Sequence, residues 1–583
     1  MFKLMKNLTK KDFLVMIIST ILIVLQVWLD LKLPDYMSNI TVLVQTNGAI
    51  KDIIKEGAYM LSCAFGSLIS SFIVGYLIAN LSARFSKNIR LKIFDKVQSF
   101  SMEEIKKFQT SSLITRTTND VTNIEILISM GLQLLIKAPI TAAWAIVKIL
   151  NKNITWSMLT LIAVLVLLVT IVILILTVLP KFKIVQKLID NINNLVRENL
   201  IGIRVIRAFN AEDYQEDRFE KGNDDLTKTQ MFNQRMMSIM SPIMYLVMNL
   251  LTLGIYFVGA YIIDKAMMID KIATFSDMVV FSSYAMQVIM SFLMLAMIFI
   301  MYPRASVSAG RINEILSEDE KIRDGHIAKE NDLKGEIEFN NVSFKYPDSS
   351  EYVLENISFK AHAGDTIAFI GSTGSGKSTL INLIPRFYDV TEGEILIDGI
   401  DVRDYKLKTL YKKMGYVPQK AVIFNGTIKS NVLYGDIKKD DMDNFNKAIE
   451  IAQAKDFIDK LPKKGDNEIA RNGTNVSGGQ KQRISIARAV ARRPEFYIFD
   501  DSFSALDYKT DYLLRNNLKK YTKDATTLIV AQRIGTIMNA TKIIVLDKGK
   551  CVGMGTHKEL LENCQVYKEI AYSQLSKEEL SNE

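Results

Sequence analysis

Cysteine and histidine are both scarce. Of 583 residues, three are cysteine (Cys63, Cys551, Cys564) and three are histidine (His326, His362, His557). The cysteines lack metal-ligand spacing, which argues against a zinc site and against a disulfide framework. Any motif that reads RNA or DNA is also missing. The net charge of +9 is therefore assigned to Lys and Arg gathered in the cytoplasmic segments of a membrane protein, and no nucleic-acid partner is expected. The chain is too long for one core and long enough for two or three domains. Its apolar residues, 49% of the total, are spread unevenly and divide it into two different halves.

Long apolar runs fill the first half. They lie at about 13–34, 57–80, 126–150, 156–180, 239–263 and 278–302. Roughly 20 apolar residues span the hydrocarbon core as a helix, so six spanning helices are expected. The first run is too long in its apolar part for a cleaved signal and is read as a span. The N-terminal stretch MFKLMKNLTKK and the connections 81–125 and 181–238 are basic, with Arg84, Lys87, Arg90, Lys181, Lys183 and Lys187. Basic segments stay inside, which puts both termini and both long connections in the cytoplasm. The connections mix apolar and charged residues at helical spacing, so they read as continuations of the spans. Each has a polar turn, near KFQTSS and near FNAEDYQEDRF, suited to docking on another domain.

Two features of the spans bear on cargo. Met286, Met290, Met294, Met297 and Met301 form a stripe on one face of the sixth, and Met236, Met240, Met244 and Met248 one on the fifth. Such a soft lining suits a pocket for varied apolar molecules, and it equally suits ordinary helix packing or lipid contact. Lys137 lies within the third run, about 20 Å below the outer surface. An intramembrane charge is a functional-site candidate, but the expectation here is that Lys137 snorkels to the inner face.

From about residue 336 the pattern changes. EIEFNNVSFKY alternates as a strand does, and DTIAFIGSTGSGKSTLINLI reads as strand, glycine loop and helix. The loop Gly371-Ser372-Thr373-Gly374-Ser375-Gly376-Lys377-Ser378-Thr379 fits G-x-x-x-x-G-K-[ST]. Its backbone N–H groups can curl around phosphates, with Lys377 reaching the terminal phosphates and the Ser378 hydroxyl ligating Mg²⁺. The apolar strand FYIFD supplies Asp500, a carboxylate for the same ion. A glycine turn running into a basic helix, VSGGQKQRISIARAV, and a buried strand, TTLIVAQ, follow on either side.

The ordered set of six spans, GSTGSGKST, YVPQ, VSGGQ, YIFDD, SALD and a last switch strand resembles the half-transporters of the ATP-binding cassette (ABC) exporter family over nearly the whole chain. The resemblance implies an all-α six-helix membrane domain at 1–320, a linker at 321–335, and an α/β P-loop NTPase nucleotide-binding domain at 336–583. It implies ATP and Mg²⁺ as cofactors, with Tyr346 stacking on adenine and Gln419 joining Ser378 and Asp500 around the metal. It implies that Ser477, Gly478, Gly479 and Gln480 reach across a dimer to the ATP held by the other subunit, and that SALD lines that dimer interface. The turns near 109–118 and 209–218 resemble the family's coupling helices.

Two positions depart from the family pattern. Asp501 stands where working sites carry glutamate, and Gln532 where they carry histidine. Aspartate is one methylene shorter, so its carboxylate stops roughly 1 Å short of the attacking water, and a misplacement of about 1 Å costs about 10²-fold in rate. Glutamine hydrogen-bonds but carries no titrating proton. Arg471 stands where the family often has an acid. The pattern implies a subunit that keeps ATP binding and weakens cleavage, paired with a different chain that supplies Glu and His. The expected activity is export of amphipathic small molecules across the cell membrane. A slow homodimeric exporter or lipid flippase and an ATP-binding sensor are the alternatives.

Overall fold

The computed structural model describes residues 2–6, 8–150, 154–265, 267–327, 333–435, 441–470 and 473–575. The chain folds as two compact units. One comprises residues 1–98 and 110–318, the other 99–109 and 319–583.

The first unit is helical throughout. A short α1 (Phe2–Met5) precedes α2 (Lys10–Gln45), which starts at a capping box between Thr9 and Asp12. Next come α3 (Ile50–Gln98), α5 (Thr110–Thr117), α6 (Asn119–Ile126), a π-helical turn (Leu127–Gly131) and α7 (Leu132–Leu150). The unit ends with α8 (Ile154–Ala208), α9 (Glu212–Lys265) and α10 (Met268–Ser317). α4 (Met102–Phe108) belongs to the other unit. Among the described residues, six helical segments are long and apolar enough to cross a membrane, with α5 to α7 acting as one. Each runs well beyond its apolar run, as the helical spacing of the connections implies.

The apolar core of this unit gathers Ile23, Val27 and Leu31 of α2, Val74 and Ile78 of α3, and Trp156, Phe281, Tyr284 and Ile289. Trp156 and Phe281 meet at 5.4 Å between ring centroids. Small residues allow close helix approach: a Cβ at Gly259 would sit 2.3 Å from the Met278 sulfur. Of the fifth-span methionines, Met244 and Met248 pack against this core, which is the packing alternative. In the sixth span the buried face carries Tyr284, Ala285, Val288 and Ile289, whereas Met290 and Met297 are exposed.

The second unit is built on two sheets. An antiparallel sheet has the order β2 (Leu354–Ala361), β1 (Ile337–Phe344), β4 (Glu392–Ile397), β5 (Ile400–Asp401). A six-stranded sheet has the order β12-β11-β3-β10-β9-β6, where β3 is Thr366–Gly371, β6 Met414–Val417, β9 Phe496–Asp500, β10 Thr526–Val530, β11 Lys542–Asp547 and β12 Lys550–Gly555. A two-stranded ladder joins β7 (Gly426–Thr427) and β8 (Glu468–Ile469). β10 lies parallel between β3 and β9, with Val530 beside Phe369 on one side and Asp500 on the other. Every residue of β9 and β10 is buried, as near-continuous apolar parallel strands are. The carboxyl ends of three adjacent strands therefore open at one place, where ligands bind in such sheets.

α4 lies just ahead of the first turn expected to couple, near 109–118. The segment that joins the second unit is 99–109, whereas α5 within 109–118 belongs to the first unit. The polar turn expected at KFQTSS follows α4, with Gln109 at φ 59° and Gln109, Thr110 and Ser111 exposed. Phe100 and Phe108 stack at 5.7 Å, and the buried Glu104 caps Ser101 and accepts the Lys321 backbone N–H at 2.8 Å. The turn between α8 and α9 has Asn210 at φ 54° and leaves Phe209 exposed. Lys137, expected to snorkel to the inner face, pairs with Asp30 of α2 at 3.4 Å.

Candidate nucleotide site

β3 delivers the glycine loop and α11 (Lys377–Leu383) follows it. Gly376 turns the chain at φ 95°, where an added Cβ would lie 2.9 Å from the Val353 carbonyl oxygen. Lys377 Nζ sits inside the arc, donating to the carbonyls of Gly371 and Ser372 at 2.9 and 2.8 Å and to Ser375 Oγ at 3.3 Å. Burial pulls its pKa down, against the pull of Asp501 and Asp500.

β9 delivers the two aspartates. Ser378 Oγ donates to Asp500 Oδ1 at 3.0 Å. Burial pushes the Asp500 carboxyl above the usual range, opposed by Ser378 and Lys377 and reinforced by Asp501. Asp501 adopts φ 46°, a left-handed backbone that aspartate tolerates better than most residues. Its N–H donates to the Val530 carbonyl at 3.0 Å, so the end of β10 fixes its direction. β10 also positions Gln532, whose Nε2 donates to Asp501 Oδ2 at 2.7 Å. Gln419 Nε2 donates to the same oxygen at 3.3 Å. Burial raises the Asp501 pKa too, and the Gln419 hydrogen bond and the Lys377 charge oppose it.

The donor set fits a magnesium nucleotide. A hydroxyl and a buried carboxylate converge within hydrogen-bond distance, and hard oxygen donors of this kind suit Mg²⁺ beside phosphate. Two buried carboxyl groups face one lysine, and a divalent cation would offset that excess of negative charge. The Tyr346 hydroxyl lies 3.1 Å from Thr379 Oγ1, which joins its ring to the glycine-loop helix. Phe344 and Tyr388 hold the ring edge-on at 5.0 and 5.4 Å.

The expected site residues thus form two groups. Lys377, Ser378, Thr379, Tyr346, Gln419, Asp500, Asp501 and Gln532 form one linked cluster. Ser477, Gly478, Gly479 and Gln480 lie apart. There Ser477 caps the helix Gly478–Arg492, with its Oγ accepting the Gln480 N–H at 3.3 Å and Gln480 Oε1 accepting the Ser477 N–H at 2.9 Å. Ser477 and Gly478 are exposed. Gln419, expected at the metal, donates its amide to Asp501. Arg471 lies outside the described residues. Sequence reasoning missed Tyr388 behind Tyr346, and also Lys106, whose Nζ lies 5.8 Å from the Tyr346 ring centroid. Neither carries a motif that would have flagged it.

Comparison with known proteins agrees with this architecture. Residues 16–292 match the ABC transporter transmembrane region family, and residues 354–504 match the ABC transporter family. An uncharacterized ABC transporter ATP-binding protein of Bacillus subtilis is 36% identical over 570 residues, covering 96% of both chains. One of Mycobacterium bovis is 36% identical over 552 residues, covering 92% of this chain and 93% of its own. An ATP-dependent lipid A-core flippase of Pseudomonas savastanoi is 32% identical over 495 residues, 85% of this chain and 81% of that protein. The structure of a bacterial Atm1-family ABC exporter with ATP bound superposes with a TM-score of 0.80 at 23% identity, over 95% of this chain and 97% of that one. Its fold is shared. The chain belongs to the ABC transporter family, as a half-transporter that fuses one six-helix membrane region to one ATP-binding domain.

Proposed function

We propose that this chain is the slow-hydrolysing subunit of a two-chain exporter of amphipathic small molecules. Its backbone loop Gly371–Gly376 and Lys377 bind the phosphates of ATP, Tyr346 stacks on the base, and Ser378, Asp500 and Gln419 hold Mg²⁺. Bound Mg²⁺ neutralises charge on the terminal phosphates. Asp501 is too short to align water well, and Gln532 fixes it without offering a proton relay. The site grips nucleotide and cleaves it slowly. Ser477, Gly478, Gly479 and Gln480 complete the second site, whose Glu and His come from a different half-transporter. The chain is a multi-pass protein of the cell membrane, with both termini cytoplasmic.

The observation that carries this reading is the Asp501 carboxylate held by two amides, Gln532 and Gln419. Neither amide can accept a proton at neutral pH. The test is ATP turnover in lipid vesicles by the chain alone and with a half-transporter carrying Glu and His at these positions. Slow turnover alone and fast turnover together is the expected result. Fast turnover by the chain alone contradicts it. That outcome would favour a homodimeric lipid flippase, a reading to which the similarity to lipid A-core flippases lends support.

A further inference from the structure

Two lysines of α7 point charge into the helical unit, and their surroundings differ. Lys148 Nζ sits 2.7 Å from Asp35 Oδ2. The same carboxylate accepts the Tyr284 hydroxyl at 2.6 Å, and the Lys148 Nζ lies 5.9 Å from the Tyr284 ring centroid. That cluster is tightly paired: the carboxylate is satisfied on both oxygens, and the ammonium has a short ion pair and a ring.

Lys137 has less. Among the described residues its one polar contact is Asp30 Oδ2 at 3.4 Å, longer than an ordinary charge-assisted hydrogen bond. Asp30 is better served, because Ser67 of α3 donates to its other oxygen. Of the three ammonium protons of Lys137, one is used, and poorly. One helical turn along α7, Thr141 Oγ1 is buried without a hydrogen-bond partner. The Lys137 and Asp30 side chains remain 27% and 31% exposed, so the pair can be reached. Unused donors in a membrane-spanning segment are costly. What would satisfy them is an acceptor-rich anion, because Asp30 already has its donors.

We infer that Lys137 and Thr141, backed by Asp30 and Ser67, form a binding station for the anionic headgroup, phosphate or carboxylate, of an amphiphilic cargo. The inference rests on the export reading above and narrows its substrate class. Lys137 supplies the charge and two donors, and the Thr141 hydroxyl, closed off from solvent in this structure, a third once a bound anion displaces what covers it. Asp30 holds the lysine in place and limits its affinity, so that an anion can bind and leave.

The test is equilibrium binding to the full chain in nanodiscs. Four probes share one twelve-carbon tail: dodecyl phosphate, dodecanoate, dodecyl trimethylammonium and dodecyl maltoside. The two anions should bind about tenfold more tightly than the maltoside, the gain expected of one charge-assisted contact. Lys137→Gln should erase that preference, Lys137→Arg should keep it, and Lys148→Gln should leave it in place. Thr141→Val, a mild change, should weaken the anions severalfold and spare the maltoside. Equal binding of all four probes, or an anion preference that survives Lys137→Gln, would overturn the inference. Lys137→Gln that lowers thermal stability with unchanged anion preference would also overturn it, by making the pair structural. ATP-driven transport of the maltoside without anion preference leaves the export reading standing and removes this one. Anion binding that depends on Lys137, with no transport of any probe, supports the station and removes the export reading.

Discussion

The Gln532 side-chain amide donates to the Asp501 carboxylate at 2.7 Å, across two parallel strands whose ends lie side by side. The two family departures are therefore one feature of the site. Asp501, where the family pattern has glutamate, is held by Gln532, where it has histidine, and Gln419 holds it from the other side. Restoring one residue alone leaves the other in place.

Asp501→Glu should consequently raise turnover at the Lys377 site only a fewfold. The double variant Asp501→Glu with Gln532→His should raise it by about 10²-fold, the scale of a positioned general base. Steady-state ATPase assays of the chain alone check this. A single change that restores full turnover would separate the two positions.

Ser477→Arg puts a bulky cation at an exposed helix N-cap. Hydrolysis by the two-chain assembly should fall by about 10²-fold or more, as loss of transition-state contacts does. ATP binding at Lys377 should be unchanged, since among the described residues no hydrogen bond links the two groups. Turnover and nucleotide binding, measured on the same preparation, distinguish the effects.

Gly376→Ala forces a Cβ against the Val353 carbonyl and strains a positive φ. It should destabilise the second unit by about 1–3 kcal/mol and weaken ATP binding. Thermal unfolding with and without nucleotide reads both.

The raised pKa of Asp500 has a defined sign. Folding favours its protonated form, so its contribution to stability is full at low pH and is lost as pH rises through the folded-state value. At neutral pH the buried charge costs stability. Asp500→Asn should raise the unfolding temperature of the nucleotide-free protein at pH 7 and abolish the further rise given by Mg-ATP. Affinity of the wild type for Mg-ATP should fall as pH is lowered, as Asp500 takes up its proton. Unfolding scans, run upward in pH from the ordinary carboxylate range, check the direction.

The spans, the glycine loop and the strand bearing Asp500 were legible because each rests on a local pattern: an apolar run of membrane length, a phosphate loop and a buried strand. Their coming together follows from strand order, with β10 between β3 and β9. The contacts that were not legible depend on partners distant in sequence. The Lys137 pairing was not legible because Asp30 lies on another helix, 107 residues away. The stacking of Phe100 on Phe108 and the Glu104 contact with Lys321 form only on folding. Gln419 could be tied to a nucleotide by motif, but its contact with Asp501, 82 residues on, leaves no trace in local pattern.

The most direct test isolates the Lys377 pocket within the assembled pair. With the partner's own catalytic glutamate replaced by glutamine, radiolabelled ATP bound to the pair is followed by rapid quench. Label that remains as ATP over many turnover times of the intact pair is the predicted result. Phosphate released from the Lys377 pocket at the intact pair's rate would contradict the account.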